Sequence, residues 1–133
     1  MEVISIHLWA VLVAAAGSFL LGAIWYLLLF GKIWQQLVTS SPRDQKNPTQ
    51  AMIFTFLARV LSVYILAHFI HYTQADTWLG GLETAFWIWL GFVVVTCADE
   101  IFFANKGIRL YFINISYHFL GLTMAGIILA IWQ

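Results

Sequence analysis

An all-α, four-helix transmembrane bundle is the architecture this sequence predicts, and three observations carry the prediction. Of the 133 residues, 62% are hydrophobic and 9% charged, against roughly 25% charged in a soluble domain, so there is too little charge to cover a water-facing surface. Four stretches, 3–30, 49–72, 81–103 and 108–132, are apolar over the ~20 residues that a helix needs to cross a bilayer. Apart from Arg59, every Lys and Arg lies in or beside two of the joints between these stretches. The six basic and six acidic side chains cancel, which leaves no basic footprint for nucleic acid, and the high hydrophobicity is the opposite of a disordered composition.

The first stretch is longer than a ~30 Å hydrocarbon core requires, so it is expected to tilt or to extend past the headgroups. Met1-Glu2, without Lys or Arg, precede it, and the run Ala14 to Gly17 is followed by further apolar residues. It is therefore expected to remain as a span rather than to be cleaved as a leader. Ala14, Ser18, Gly22 and Trp25 recur at intervals of four, four and three. Such a stripe of small residues ending in a large ring predicts close contact with another helix; a pore lining would present more polar atoms.

The segment 31–48 contains both prolines. Ile33, Trp34, Leu37 and Val38 fall at helical spacing and predict a short amphipathic turn on the cytoplasmic interface. Ser41-Pro42-Arg43-Asp44 has the pattern of a helix start, and Asn47-Pro48-Thr49-Gln50 repeats it to open the second span.

Arg59 falls about ten residues into that span, where insertion scales charge an Arg about 2.5 to 3.5 kcal/mol, so it is expected to face protein or water. Thr55 and Ser62 share its face. Asp99 and Glu100, near the inner end of the third span, are the expected counter-ions, either in an ion pair that fixes packing or as part of a functional site. Tyr64, His68 and His71 run along the opposite face. With Asp76 and Glu83 the two imidazoles make a candidate zinc or copper set, although a helix fixes only the i, i+3 pair and leaves the other ligands open.

The third span is bounded by the joint 72–80 and by a tight turn through Asn105 and Gly107. Cys97 stands alone in it and reads as a small core residue, with no intramolecular disulfide possible. In the fourth span Asn114, Tyr117, His118, Gly121 and Ala125 lie within about a third of the helix circumference. Two small residues admit a neighbouring helix and three polar ones can bond to it; His118, near the bilayer middle, is also the side chain there that could change charge near neutral pH.

Lys32, Arg43 and Lys46 occupy the first joint and Lys106 and Arg109 the third, whereas the N-terminal tail, the second joint and the C-terminus contain neither Lys nor Arg. Cytoplasmic loops retain these residues, so both termini are expected on the non-cytoplasmic side, with Trp78 and Trp132 at the outer interface and Trp34 at the inner one.

Several short motifs occur together: Gly22-Ala23-Ile24-Trp25-Tyr26 followed by Phe30-Gly31-Lys32-Ile33-Trp34, then Asn47-Pro48, then Phe112-Ile113-Asn114 with Tyr117-His118, and a terminal Trp132. In combination and essentially end to end, the chain resembles the DUF1761 family, a domain of unknown function. The resemblance implies a small four-span bacterial membrane protein of the cytoplasmic (inner) membrane and brings no established activity. It draws attention to Trp25, Tyr26, Asn114 and His118, while Arg59 and the His68/His71 pair fall outside the shared pattern.

No Gly-rich phosphate loop, dinucleotide fingerprint or Gly-x-Ser-x-Gly elbow is present, so nucleotide-driven or serine-hydrolase chemistry is not expected. Four helices leave little interior for a private pathway, and a homo-oligomer that builds its site between protomers is expected. The leading expectation is a small channel or transporter-like protein whose polar path uses Arg59, Asp99, Glu100, Asn114, Tyr117 and His118. The competing one is an accessory or assembly subunit of a larger membrane complex, for which seven Trp and eleven Phe supply contact surface. An enzyme ranks third, with His68, His71, Asp76 and Glu83 as its constellation; no cofactor beyond such a metal is expected. The surrounding partner is the lipid bilayer.

Overall fold

The computed structural model describes residues 5–29, 31–32, 48–104 and 107–132. The expected interfacial turn, the Ser41 and Asn47 helix starts and Trp34 lie outside the described residues, as do Asn105 and Lys106 of the third joint. Helix α1 (Leu8–Ala23) runs on without a break into a π-helical stretch, Ile24–Leu29. Helix α2 is Pro48–Tyr72. Helix α3 (Trp78–Ile88), a π-helical turn (Trp89–Val93) and α4 (Val94–Phe103) form one continuous rod, and α5 is Ile108–Ile131. Four rods are thus long and apolar enough to cross a membrane: Leu8–Leu28, Thr49–Tyr72, Trp78–Phe103 and Ile108–Ile131. No strand occurs among the described residues.

The turn between the second and third rods is closed by local chemistry. Gln74 takes a left-handed conformation (φ 53°), the position where a glycine commonly ends a helix, and Ala75 N–H donates back to the Ile70 carbonyl at 3.1 Å. Thr77 then caps α3, its hydroxyl accepting from Gly80 N–H at 3.1 Å. Thr73 and Thr84 join their hydroxyls across the turn at 3.0 Å, which ties α2 to α3.

The fourth rod is the centre of the bundle: half (50%) of an apolar 18-residue stretch of it is buried, against 6% of the corresponding stretch of the third. It is flanked by α1 on one side and by α3 and α4 on the other, while α2 packs against α1 and also touches α5. Packing divides by depth. In the half nearer the chain termini the core is small and apolar, with Ala10, Ala14 and Ala15 of α1, Val63, Leu66 and Ile70 of α2, Ala85 of α3 and Ala125, Leu129 and Ala130 of α5. The alanines let backbones approach, which is how helices gain dispersion energy in lipid, where burial of apolar surface drives nothing. In the other half the helices are joined by aromatic and polar side chains.

Candidate functional site

That second, polar half begins at Arg59. With a rise of 1.5 Å per residue the position lies about 16 Å from Pro48 and about 20 Å from Tyr72, near the middle of the membrane. Its Nη2 donates to the Tyr117 hydroxyl at 2.5 Å, and its guanidinium carbon stands 5.1 Å from the centroid of the same ring. The aromatic face and hydroxyl thus both stabilise the cation. Tyr117 passes its own proton on, donating to the Ser18 carbonyl at 3.3 Å, and the Ser18 hydroxyl donates to the Gly121 carbonyl at 3.3 Å. One relay of polar contacts therefore ties α2, α5 and α1 together at mid-depth.

The small-residue stripe of α1 explains why the relay fits. A β-carbon on Gly22 would lie 2.8 Å from the Tyr117 hydroxyl, closer than such contacts allow, so the glycine makes the space into which the phenol reaches. Ser18 and Ala14 are buried in the same contact, and Gly121 and Ala125 are buried on α5. The expected packing stripes on the first and fourth spans thus face each other through Ser18 and Gly121.

Towards the basic end, the Tyr26 hydroxyl donates to Asn114 Oδ1 at 2.8 Å, and its ring meets that of Tyr117 edge-on at 5.2 Å. The π-helical stretches have a common role here. Trp25 in the first donates its indole N–H to the Ile113 carbonyl at 3.1 Å, and Trp89 at the start of the second donates to the Ile115 carbonyl at 2.7 Å. A π turn changes the angle at which a side chain leaves its helix, and both turns direct an indole onto the backbone of α5 from opposite flanks. The Tyr111 hydroxyl returns the contact to the Val94 carbonyl at 3.0 Å. His118 is half-buried, its ring 4.9 Å from that of Tyr117.

Two expectations are corrected. Asp99 and Glu100 are exposed on α4 and do not pair with Arg59, which meets no carboxylate among the described residues. The reason is depth: measured from the turn that joins their spans, Asp99 lies about 31 Å along its rod and Arg59 about 20 Å along its own, and α4 packs along α5. In place of a counter-ion the guanidinium has the Tyr117 hydroxyl, and its Nε is buried without a partner. Nor does the structure bring His68, His71, Asp76 and Glu83 together; no group of three or more His, Cys, Asp or Glu that could hold a metal forms among the described residues. His68 directs Nδ1 at the Tyr64 carbonyl of its own helix, at 3.0 Å, and lies edge-on to the Tyr64 ring.

Trp89, Tyr111 and the pair Gly81 and Gly126 do not stand out in the sequence as site residues. The glycines carried a usable signal, since Gly81 with Ala85 and Gly126 with Ala130 are both small residues four apart. The indoles carried none, because nothing in a single helix's periodicity announces a π turn. At the terminal end, finally, a cavity of about 530 Å³ opens between the start of α1 and the ends of α2 and α5, lined among others by His7, Ala67, Ile70, His71, Leu129 and Trp132.

The family described as "Protein of unknown function (DUF1761)" matches residues 9–130, nearly the whole chain. No curated protein and no solved structure matches it.

Proposed function

The chain belongs to the DUF1761 family, and from that premise we propose that this small multi-pass membrane protein is an accessory or assembly subunit, which binds a larger membrane partner through its mid-membrane guanidinium. The observation that carries the reading is Arg59, a cation at mid-depth with a phenol hydroxyl for its partner, no carboxylate among the described residues and a buried, unbonded Nε. A charge so placed is costly in hydrocarbon, and an acidic side chain on a neighbouring transmembrane helix would offset that cost. The remaining polar groups favour the same reading, because Ser18, Trp25, Trp89, Tyr111 and Tyr117 all donate to backbone carbonyls and act as ties between helices. The Lys and Arg asymmetry supports an orientation with both termini on the non-cytoplasmic face.

The test is purification of the intact protein in a native detergent. One membrane partner is expected at fixed stoichiometry, lost in Arg59→Leu and lost equally when an intramembrane carboxylate of that partner is changed to its amide. A wild-type protein that runs alone, or an Arg59→Leu variant that keeps the partner, would refute the assignment.

A channel or transporter-like role is the second reading. It draws on the contiguity of Tyr26, Tyr117, Arg59 and His118 in one polar-aromatic cluster. Liposome flux that responds to Arg59→Ala and His118→Ala would favour it; flux that is absent, or indifferent to both, removes it.

A further inference from the structure

The terminal cavity is separate from the Arg59 cluster, since His71 and Arg59 are twelve residues apart on α2, about 18 Å. At about 530 Å³ it falls in the ~300–1,000 Å³ range of small-molecule sites. Its floor is apolar and well buried, made of Ala10, Ala67, Ile70 and Leu129. Its rim is aromatic and accessible: His7 and His71 are exposed, Trp9 is 69% exposed, and the His7 ring lies 5.7 Å from that of Trp132. Neither His7 nor His71 has a side-chain hydrogen bond among the described residues, so two imidazoles, one at the N-cap of α1 and one on the last turn of α2, line one space.

The chemistry of the rim selects the class of ligand. No Lys or Arg occurs in 1–31, 60–105 or 110–133, so no guanidinium or lysine ammonium at this end of the bundle is available to a phosphate or a sulfate. Imidazole N–H groups suit a neutral acceptor such as a carbonyl oxygen. Rings of His7, Trp9 and Trp132 suit a flat conjugated ring, which stacks on aromatic faces. An apolar floor beneath them suits a hydrocarbon tail. The site also lies at the ends of three spans, where hydrocarbon meets headgroups and where an amphiphile arrives from the bilayer with its polar end already at the right depth.

We propose that this cavity binds an uncharged quinone-class amphiphile, its carbonyl oxygens accepting hydrogen bonds from His7 and His71, its ring against the aromatic rim and its tail over Ile70 and Leu129.

The experiment is equilibrium binding of a decyl-substituted benzoquinone to the full chain in phosphatidylcholine nanodiscs, against empty nanodiscs. Saturable, one-to-one binding is expected. His7→Phe with His71→Phe keeps ring bulk at two exposed positions and removes both donors; loss of two hydrogen bonds should weaken binding at least about tenfold. His68→Phe, on the same helix but outside the cavity lining, should leave it unchanged. A decyl-substituted benzene without carbonyls should fail to compete, as should phosphatidylglycerol. Non-saturable uptake equal to that of empty nanodiscs, binding indifferent to the double variant, or equal competition by the carbonyl-free analogue or by the phospholipid would each overturn the proposal. None of these outcomes depends on Arg59 or on a protein partner.

Discussion

Gly81 on α3 and Gly126 on α5 pack backbone against backbone: a β-carbon on Gly126 would fall 2.6 Å from the Gly81 carbonyl oxygen and 3.0 Å from the Ala85 methyl, and one on Gly81 would run into the Gly126 carbonyl. This crossing seats the third span, which is otherwise little buried, on the central helix.

Alanine at either glycine should therefore destabilise the protein. In an unencumbered helix Gly→Ala gains about 1 kcal/mol, but here overlap with backbone, which cannot swing aside, reverses the sign and should cost on the order of 1–3 kcal/mol. Thermal unfolding in detergent checks this. Gly91→Ala is the control: nothing lies within 4 Å of a β-carbon there, so it should be neutral or stabilising.

Gly22→Ala should also destabilise, by displacing the Tyr117 hydroxyl, and the effect should shrink in a Tyr117→Phe background, where the oxygen in its way is gone. A double-mutant cycle on unfolding midpoints should return a coupling of roughly 0.5–3 kcal/mol, the range for residues in direct contact. Additive effects would mean that the glycine does not make room for the phenol.

Tyr117→Phe alone removes the acceptor for Arg59 and leaves a guanidinium short of partners, which should cost about 1–3 kcal/mol. Arg59→Met, of similar length and without charge, should be neutral or stabilising for the isolated protein, because the desolvation penalty goes with the charge. Arg59→Lys should not substitute, since an ammonium lacks the planar fork. Stability that rises in Arg59→Met while partner binding falls would separate a functional charge from a structural one.

Trp25→Phe and Trp89→Phe each delete one donor to a carbonyl that lies within α5 and keeps its helical bond. No acceptor is orphaned, so each loss should be only about 0.5–1.5 kcal/mol. The two sites approach α5 from opposite flanks, and their costs should add.

A reporter fused to the C-terminus should be active only if its enzyme works outside the cytoplasm, and one fused after Lys32 should show the reverse. Equal activity at both positions, or the inverted pattern, would remove the orientation expected from the Lys and Arg asymmetry.

Much of this arrangement was legible along single helices. Four spans followed from hydropathy and length, and the Ala14, Ser18 and Gly22 stripe from its spacing, because each is a property of one segment. Arg59 and Tyr117 each stand out along their own helices, but nothing in either segment pairs them. Charge nominates Asp99 and Glu100 as partners of Arg59, but charge says nothing of depth: Asp99 is about 12 Å too far along its own rod. Histidines at i and i+3 share a face by geometry alone, but whether a third ligand meets them depends on another helix.

The amino-acid order by itself determined that this chain belongs in a bilayer, as four helices with small residues where they touch, since hydrophobicity and periodicity act locally. Only the tertiary structure decided that α5 is central, that Tyr117 rather than a carboxylate receives Arg59, that Gly81 meets Gly126, and that His7 and His71 share a cavity. Each of those facts requires the relative rotation and depth of two helices. In lipid, where no hydrophobic force marks the inner face, that information resides in how the helix surfaces interlock.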